Sequence, residues 1–130
     1  MSRFSPSQDR SGFSLVELLV VVAFIAILAA IAVPHFASVT DRAHDATVKS
    51  DVRNALGAEE EYYVHLGEYV AFVAVDGERV SPPGFASSAG VTVTGTLVDG
   101  GIRLVGSHPG ATSSWCISSA EGQLVAGDAC

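Results

Sequence analysis

The chain has 130 residues, of which 48% are hydrophobic, and 7 Lys+Arg face 14 Asp+Glu for a formal net charge of −7. That length leaves room for one modest domain with a small core. An acidic balance without any Lys/Arg cluster disfavours nucleic-acid phosphate as a partner of the general surface.

Residues 1–12 are polar, with Arg3 and Arg10 as their cations. Positive charge ahead of an apolar segment holds that end in the cytoplasm. The run from Phe13 to Val33 follows, and from Leu18 onward it contains no charged or strongly polar side chain. As a helix it reaches ~30 Å, the thickness of a bilayer core. A secretory signal peptide is the plain alternative, with Ala30-Ile31-Ala32 as a cleavage site. Against it stand the length of the run, Glu17 at its mouth, and a helical pattern that continues beyond the supposed cut. A simple membrane anchor is the other plain reading.

Pro34 falls where the apolar run ends, and inside a helix it removes one hydrogen bond and kinks or loosens the preceding turn. Beyond it, Val48, Val52, Ala55/Leu56, Tyr62/Tyr63 and Leu66 recur at spacings of three and four, which predicts an amphipathic helix stopping at Gly67. Arg42, Lys49 and Arg53, interleaved with Asp41, Asp45 and Asp51, read as a solvated, ion-paired surface of that helix, and Glu59-Glu60-Glu61 as another solvated face.

From Glu68 the period becomes extended. Tyr69 to Val75 reads as a strand, and Ser81-Pro82-Pro83-Gly84 as loop punctuation. Residues 91–98 alternate, placing Val91, Val93 and Leu97 on one face and three threonines on the other. Asp99-Gly100-Gly101 predicts a hairpin turn into Ile102 to Val105. Trp115-Cys116-Ile117 and Gln123-Leu124-Val125 are expected to pair across Ala120-Glu121-Gly122. The sum is an α+β fold in which three or four antiparallel strands take the amphipathic stripe as their core.

Cys116 and Cys130, in a chain with an export or membrane segment, point to an oxidising compartment and a disulfide; two free thiols are the alternative. Trp115 is expected to pack in the core against that disulfide. The histidines His35, His44, His65 and His108 are scattered, and no metal site, cofactor site, nucleophile motif or phosphate-cradling glycine spacing is found, so the reading is not that of an enzyme.

One stretch carries a more specific signal. Gly12-Phe13-Ser14-Leu15-Val16-Glu17-Leu18-Leu19, followed by Ile27-Leu28-Ala29-Ala30-Ile31-Ala32-Val33-Pro34, resembles the N-terminal signature of type IV pilins and type II secretion pseudopilins. The resemblance covers residues 12–36 closely; Glu61-Tyr62-Tyr63 with Gly67-Glu68-Tyr69 is similar to the helix-to-loop passage of pilins, and the C-terminal half matches only by general pattern. It implies that residues 1–12 are a leader removed by a prepilin peptidase between Gly12 and Phe13, with N-methylation of Phe13. It further implies an apolar transmembrane and polymerisation helix over 13–34, an amphipathic helix over 35–67, and a globular β domain over 68–130 with a C-terminal disulfide loop. Subunits would then assemble with copies of themselves, from the inner membrane, through an assembly platform and minor pilins, into a cell-surface filament. The segment just before Pro34, about Ala26 to Val33, would lose helix on assembly.

The chemistry of Glu17 fits that role by a separate route. A carboxylate among apolar helices costs several kcal/mol unless it is neutralised or paired. No Lys or Arg lies in the run, so the available cation is the amine of Phe13 created by the cut, on the same subunit or its neighbour. Glu17 is thereby expected to set axial register. A type II secretion pseudopilin and a secreted or membrane-anchored binding domain are the alternative functions.

Overall fold

The computed structural model describes residues 12–130. Residues 1–11 of the leader, with Arg3 and Arg10, therefore lie outside the described residues. One long helix is followed by seven short strands: α1 (Leu15–Leu66), β1 (Phe72–Val75), β2 (Arg79–Val80), β3 (Phe85–Ala86), β4 (Thr92–Val98), β5 (Gly101–Ser107), β6 (Trp115–Ser118) and β7 (Val125–Ala126). The chain divides into two compact units at Phe36/Ala37.

The first unit carries the apolar part of α1. Every described residue in it is exposed, and its apolar stretch is long and hydrophobic enough to cross a membrane. Helix α1 continues through Pro34 without a break in its assignment. A single proline is tolerated here because it removes one bond from a ladder whose neighbouring turns remain intact.

The second unit is the α+β body. Its sheet has five strands in the order β1-β4-β5-β6-β7, every neighbour antiparallel, while β2 and β3 form a separate two-stranded ribbon around the Ser81–Gly84 turn. The sheet has one strand more than the upper end of the three or four expected, and its last, β7, is a two-residue edge piece. Strand β1 starts at Phe72, three residues later than the apolar run suggests.

The hairpin between β4 and β5 closes in two residues, Asp99 and Gly100, with Val98 opposite Gly101. Gly100 has φ +77°, a conformation that L side chains rarely adopt. Gly101 belongs to β5 rather than to the turn, and it is glycine for a different reason. A Cβ there would stand 2.2 Å from Ser119 Oγ.

The core lies between one stripe of α1 (Val48, Val52, Ala55, Leu56) and one sheet face (Phe72, Val93, Ile102, Leu104, Ile117), joined by Phe85 and Val91. Burying each of the larger aliphatic side chains stabilises the fold by about 1.5–3 kcal/mol. Two expectations about this core fail at its margin. Leu97 keeps the parity of Val93 but is 53% exposed, although its cross-strand partner Ile102 is buried; Tyr63 and Leu66, in the last turn of α1, are also exposed.

Helix and sheet come close at Gly106, where a Cβ would lie 2.3 Å from Val52 Cγ2 and 2.9 Å from Val48 Cγ1. Gly106→Ala is expected to destabilise the body by about 1–3 kcal/mol through overpacking. Gly57, mid-helix with nothing within 4 Å of an added Cβ, gives the opposite sign. Gly57→Ala should stabilise by about 1 kcal/mol. Thermal denaturation of the two variants checks both directions.

Candidate functional site

The N-terminal end of α1 is built around Ser14 and Glu17. Ser14 is the N-cap: its Oγ accepts the N–H of Val16 at 3.3 Å, and its own N–H donates to Glu17 Oε2 at 2.9 Å. Helix starts leave several N–H groups without intrahelical partners, and a Ser-x-x-Glu box satisfies them reciprocally. Glu17 therefore has a local bond that a reading of its charge alone overlooks. The signal is present in the spacing Ser14 to Glu17.

Around that carboxylate the surface is hydrocarbon. Phe13, Val16, Val20 and Val21 line a shallow groove in which Glu17 is the charged member. A second groove is lined by Leu15, Leu18, Leu19, Val22, Ala23 and Ala26, spaced three and four apart along one side of the helix. Phe13 itself is 87% exposed, and nothing lies within 4 Å of a Cβ position at Gly12. The junction Gly12–Phe13 is thus open to solvent on the described chain.

Among known protein families, the prokaryotic N-terminal methylation motif matches residues 7–33. This match and the relatives that follow support a type IV pilin family. The chain is similar to the type IV wide pilus major component PilA4 of Thermus thermophilus, 36% identical over 64 residues, 49% of each chain. It is also similar to the type IV major pilin protein PilA of Myxococcus xanthus, 35% identical over 92 residues, 68% of this chain and 41% of the relative. Fimbrial protein EcpC of Eikenella corrodens is 34% identical over 90 residues, 68% of this chain and 59% of the relative. The chain thus spans about half the length of the curated relatives it matches. One long helix packed by its later half on an antiparallel sheet is consistent with the pilin fold.

In the body, Asp41, Glu60 and Glu61 are exposed as their pattern suggested, but three other acidic residues of α1, Asp45, Asp51 and Glu59, are not. Asp45 and Asp51 are buried rather than solvated. Asp45 accepts from the backbone N–H of Thr112 at 3.0 Å, from the Thr112 hydroxyl, and from Trp115 Nε1 at 3.4 Å. Asp51 accepts from the N–H of Ser88 at 2.6 Å and from its hydroxyl at 2.9 Å. Each carboxylate pins one loop to the helix. Asp45, Val48, Val52, Ala55 and Glu59 follow one another at spacings of three, four, three and four, so the phase of the valines could have shown that Asp45 and Glu59 face inward.

Trp115 packs against the core, as expected, and its ring faces Lys49, whose Nζ lies 3.8 Å from the ring centroid. Adjacent strand residues point to opposite faces, which separates Trp115 from Cys116. Cys116 and Cys130 form a disulfide with Cα atoms 5.8 Å apart. A loop of this length stabilises by roughly 3 kcal/mol in the chain-entropy account.

The histidines are less scattered than the sequence implied. The His44 and His108 rings stack at 4.0 Å and 15°, and His108 Nδ1 accepts the N–H of Gly110 at 2.9 Å. Stacked rings direct their in-plane lone pairs past one another rather than toward one ion. Among the described residues no group of three or more His, Cys, Asp or Glu could hold a metal.

Hydrogen bonding by Thr112 holds the Asp45 carboxyl below its ordinary value of 3.8; burial opposes this, and Trp115 and the backbone of Thr112 and Ser113 assist it. A depressed folded-state value contributes stability that is present above 3.8 and lost as pH falls through the lower folded value. Asp45→Asn should therefore lower Tm at neutral pH, with the gap to the parent closing as pH drops below 3.8. Parallel Tm curves for the two proteins across that range would contradict the assignment.

Proposed function

We propose that this chain is the precursor of a structural subunit of a type IV pilus or pilus-like filament. The observation that carries the reading is the N-terminal segment: a helix apolar and exposed on all sides, opened by Ser14, bearing Glu17, and matching the methylation motif over residues 7–33. An exposed hydrocarbon surface of this kind needs a covering, first lipid and then copies of itself. The relatives' names, drawn from major pilins and fimbrial proteins, support a surface filament over a secretion pseudopilus or a tethered binding domain.

On this reading a prepilin peptidase cuts between Gly12 and Phe13 on the cytoplasmic side, and Phe13 becomes the N-methylated first residue. The subunit waits in the inner membrane, and an assembly platform with minor pilins adds it to the filament. The cut creates an amine next to the helix cap. One oxygen of Glu17 accepts from the Ser14 N–H, which leaves the other for that amine, its own or a neighbour's. Such a pair offsets the cost of a carboxylate in hydrocarbon only when the incoming subunit is at the right depth. Pro34 is the point near which the helix loosens on assembly.

The intact mass of the purified filament subunit tests the processing: a species beginning at methylated Phe13 supports it, and one beginning at Val33 rejects it in favour of signal-peptide cleavage. Glu17→Ala should be inserted and processed like the parent but yield fewer filaments. A drop of at least about tenfold is the scale of a lost interaction worth ~1.4 kcal/mol. Filaments of that variant at parental yield, counted by electron microscopy, would remove the register role from Glu17.

A further inference from the structure

Glu59 is a carboxylate occupying a core position. It is 0% exposed and continues the stripe of Val48, Val52 and Ala55 on α1. Its Oε2 accepts the N–H of Val70 at 3.1 Å, while its Oε1, also buried, has no hydrogen-bond partner among the described residues. Buried polar atoms are nearly always partnered, so an orphan carboxylate oxygen in a core calls for an explanation. A glutamine would fill the same space and accept the same bond. What glutamate adds is a proton that can come and go.

The segment that this bond holds is lightly built. Every residue from Glu60 to Ala71 is exposed or half-buried. The Tyr63–Tyr69 ring stack at 4.5 Å and the Gly67 N–H bond to the Tyr63 carbonyl at 2.8 Å are local to it. The Glu59–Val70 bond, by contrast, ties the loop before β1 back to a buried side chain of the helix. Segments with few buried contacts open well below the global unfolding free energy.

We propose that Glu59 is a proton-operated latch: in its neutral form it closes residues 60–71 against the body, and in its ionised form it favours their opening to water. The groups around it leave the charge without compensation. Glu60 and Glu61 beside it on α1 and Glu68 in the loop are exposed and of the same sign, and His65 sits exposed in the last turn. Tyr62, Tyr63 and Tyr69 carry no charge at neutral pH. The core face of the sheet contributes Phe72, Val93, Ile102 and Leu104. Arg103 alternates to the opposite face of β5 from its neighbours Ile102 and Leu104.

Burial pushes the Glu59 carboxyl up from its ordinary 4.5, with the Val70 N–H working against that shift. A raised value in the closed state and an ordinary one in the open state make closure strongest below 4.5 and weaken it as pH rises through the closed-state value. The latch is a property of the body and does not depend on the filament reading.

Amide hydrogen exchange on the full chain in detergent micelles, corrected for intrinsic exchange, tests it. Protection at Val70 is expected to fall by up to about tenfold per pH unit above 4.5 and then level off. Leu104, in the middle of the sheet, should show no such slope. Glu59→Gln should flatten the Val70 profile, while Glu60→Gln, on the exposed side, should leave it as in the parent. An equal slope in Glu59→Gln, a flat profile in the parent, or the same slope at Leu104 would each overturn the latch. Should Glu59→Gln fail to fold, carboxyl-carbon NMR titration of Glu59 in the parent decides: a midpoint above 4.5 supports the proposal, and one at or below it overturns it.

Discussion

Everything in the body depends on how closely α1 approaches the sheet. Val48 and Val52 come down on Gly106, where no side chain stands between helix and strand. That contact fixes the phase of the helix, and the phase decides which residues three and four positions away point inward. Ala55, Leu56 and Glu59 follow below, and Asp45 above. Because the approach is close, each inward polar side chain is forced to find a partner on the sheet side. Asp45 and Asp51 succeed with Thr112 and Ser88, and Glu59 succeeds with one oxygen only. A looser helix would have left all three in water.

Much of this is legible in the residues, and the exceptions share a cause. The helix end at Leu66, the turn at Asp99-Gly100 and the pairing of β6 with a late strand follow from punctuation that acts locally: Gly67 with φ +76°, Gly100 with φ +77° and Gly122 with φ +64°. Local chemistry is visible in a sequence. The inward carboxylates escape a reading that gives charge more weight than phase, although Asp45 and Glu59 keep step with the valines. Leu97 misleads in the reverse way. Its parity is right, but parity names a face and not how deeply each residue on that face is covered. The His44–His108 stack joins residues 64 positions apart and leaves no trace in either neighbourhood.

At the N-terminus the residues declare the kind of element and hide part of its detail. Glu17 draws attention because a charge next to hydrocarbon is costly. Its bond to the Ser14 N–H shows that the same residue also completes the start of the helix. The two roles are compatible because a carboxylate has two oxygens and several lone pairs. They also make the position hard to replace: glutamine keeps the cap but not the charge, and aspartate is one methylene shorter in its reach for the Ser14 N–H.

The evenness of the first unit has a geometric meaning. Between Leu18 and Val33 the helix offers hydrocarbon in every direction, so rotation about its axis changes little in what a neighbour touches. A featureless cylinder conveys no azimuth. It conveys depth only where its uniformity is broken, and on the described chain that break comes at Glu17, with the next acidic or basic side chain beyond Pro34. Such an element behaves like a plain rod with a single mark, readable at one height and, at that height, on one side.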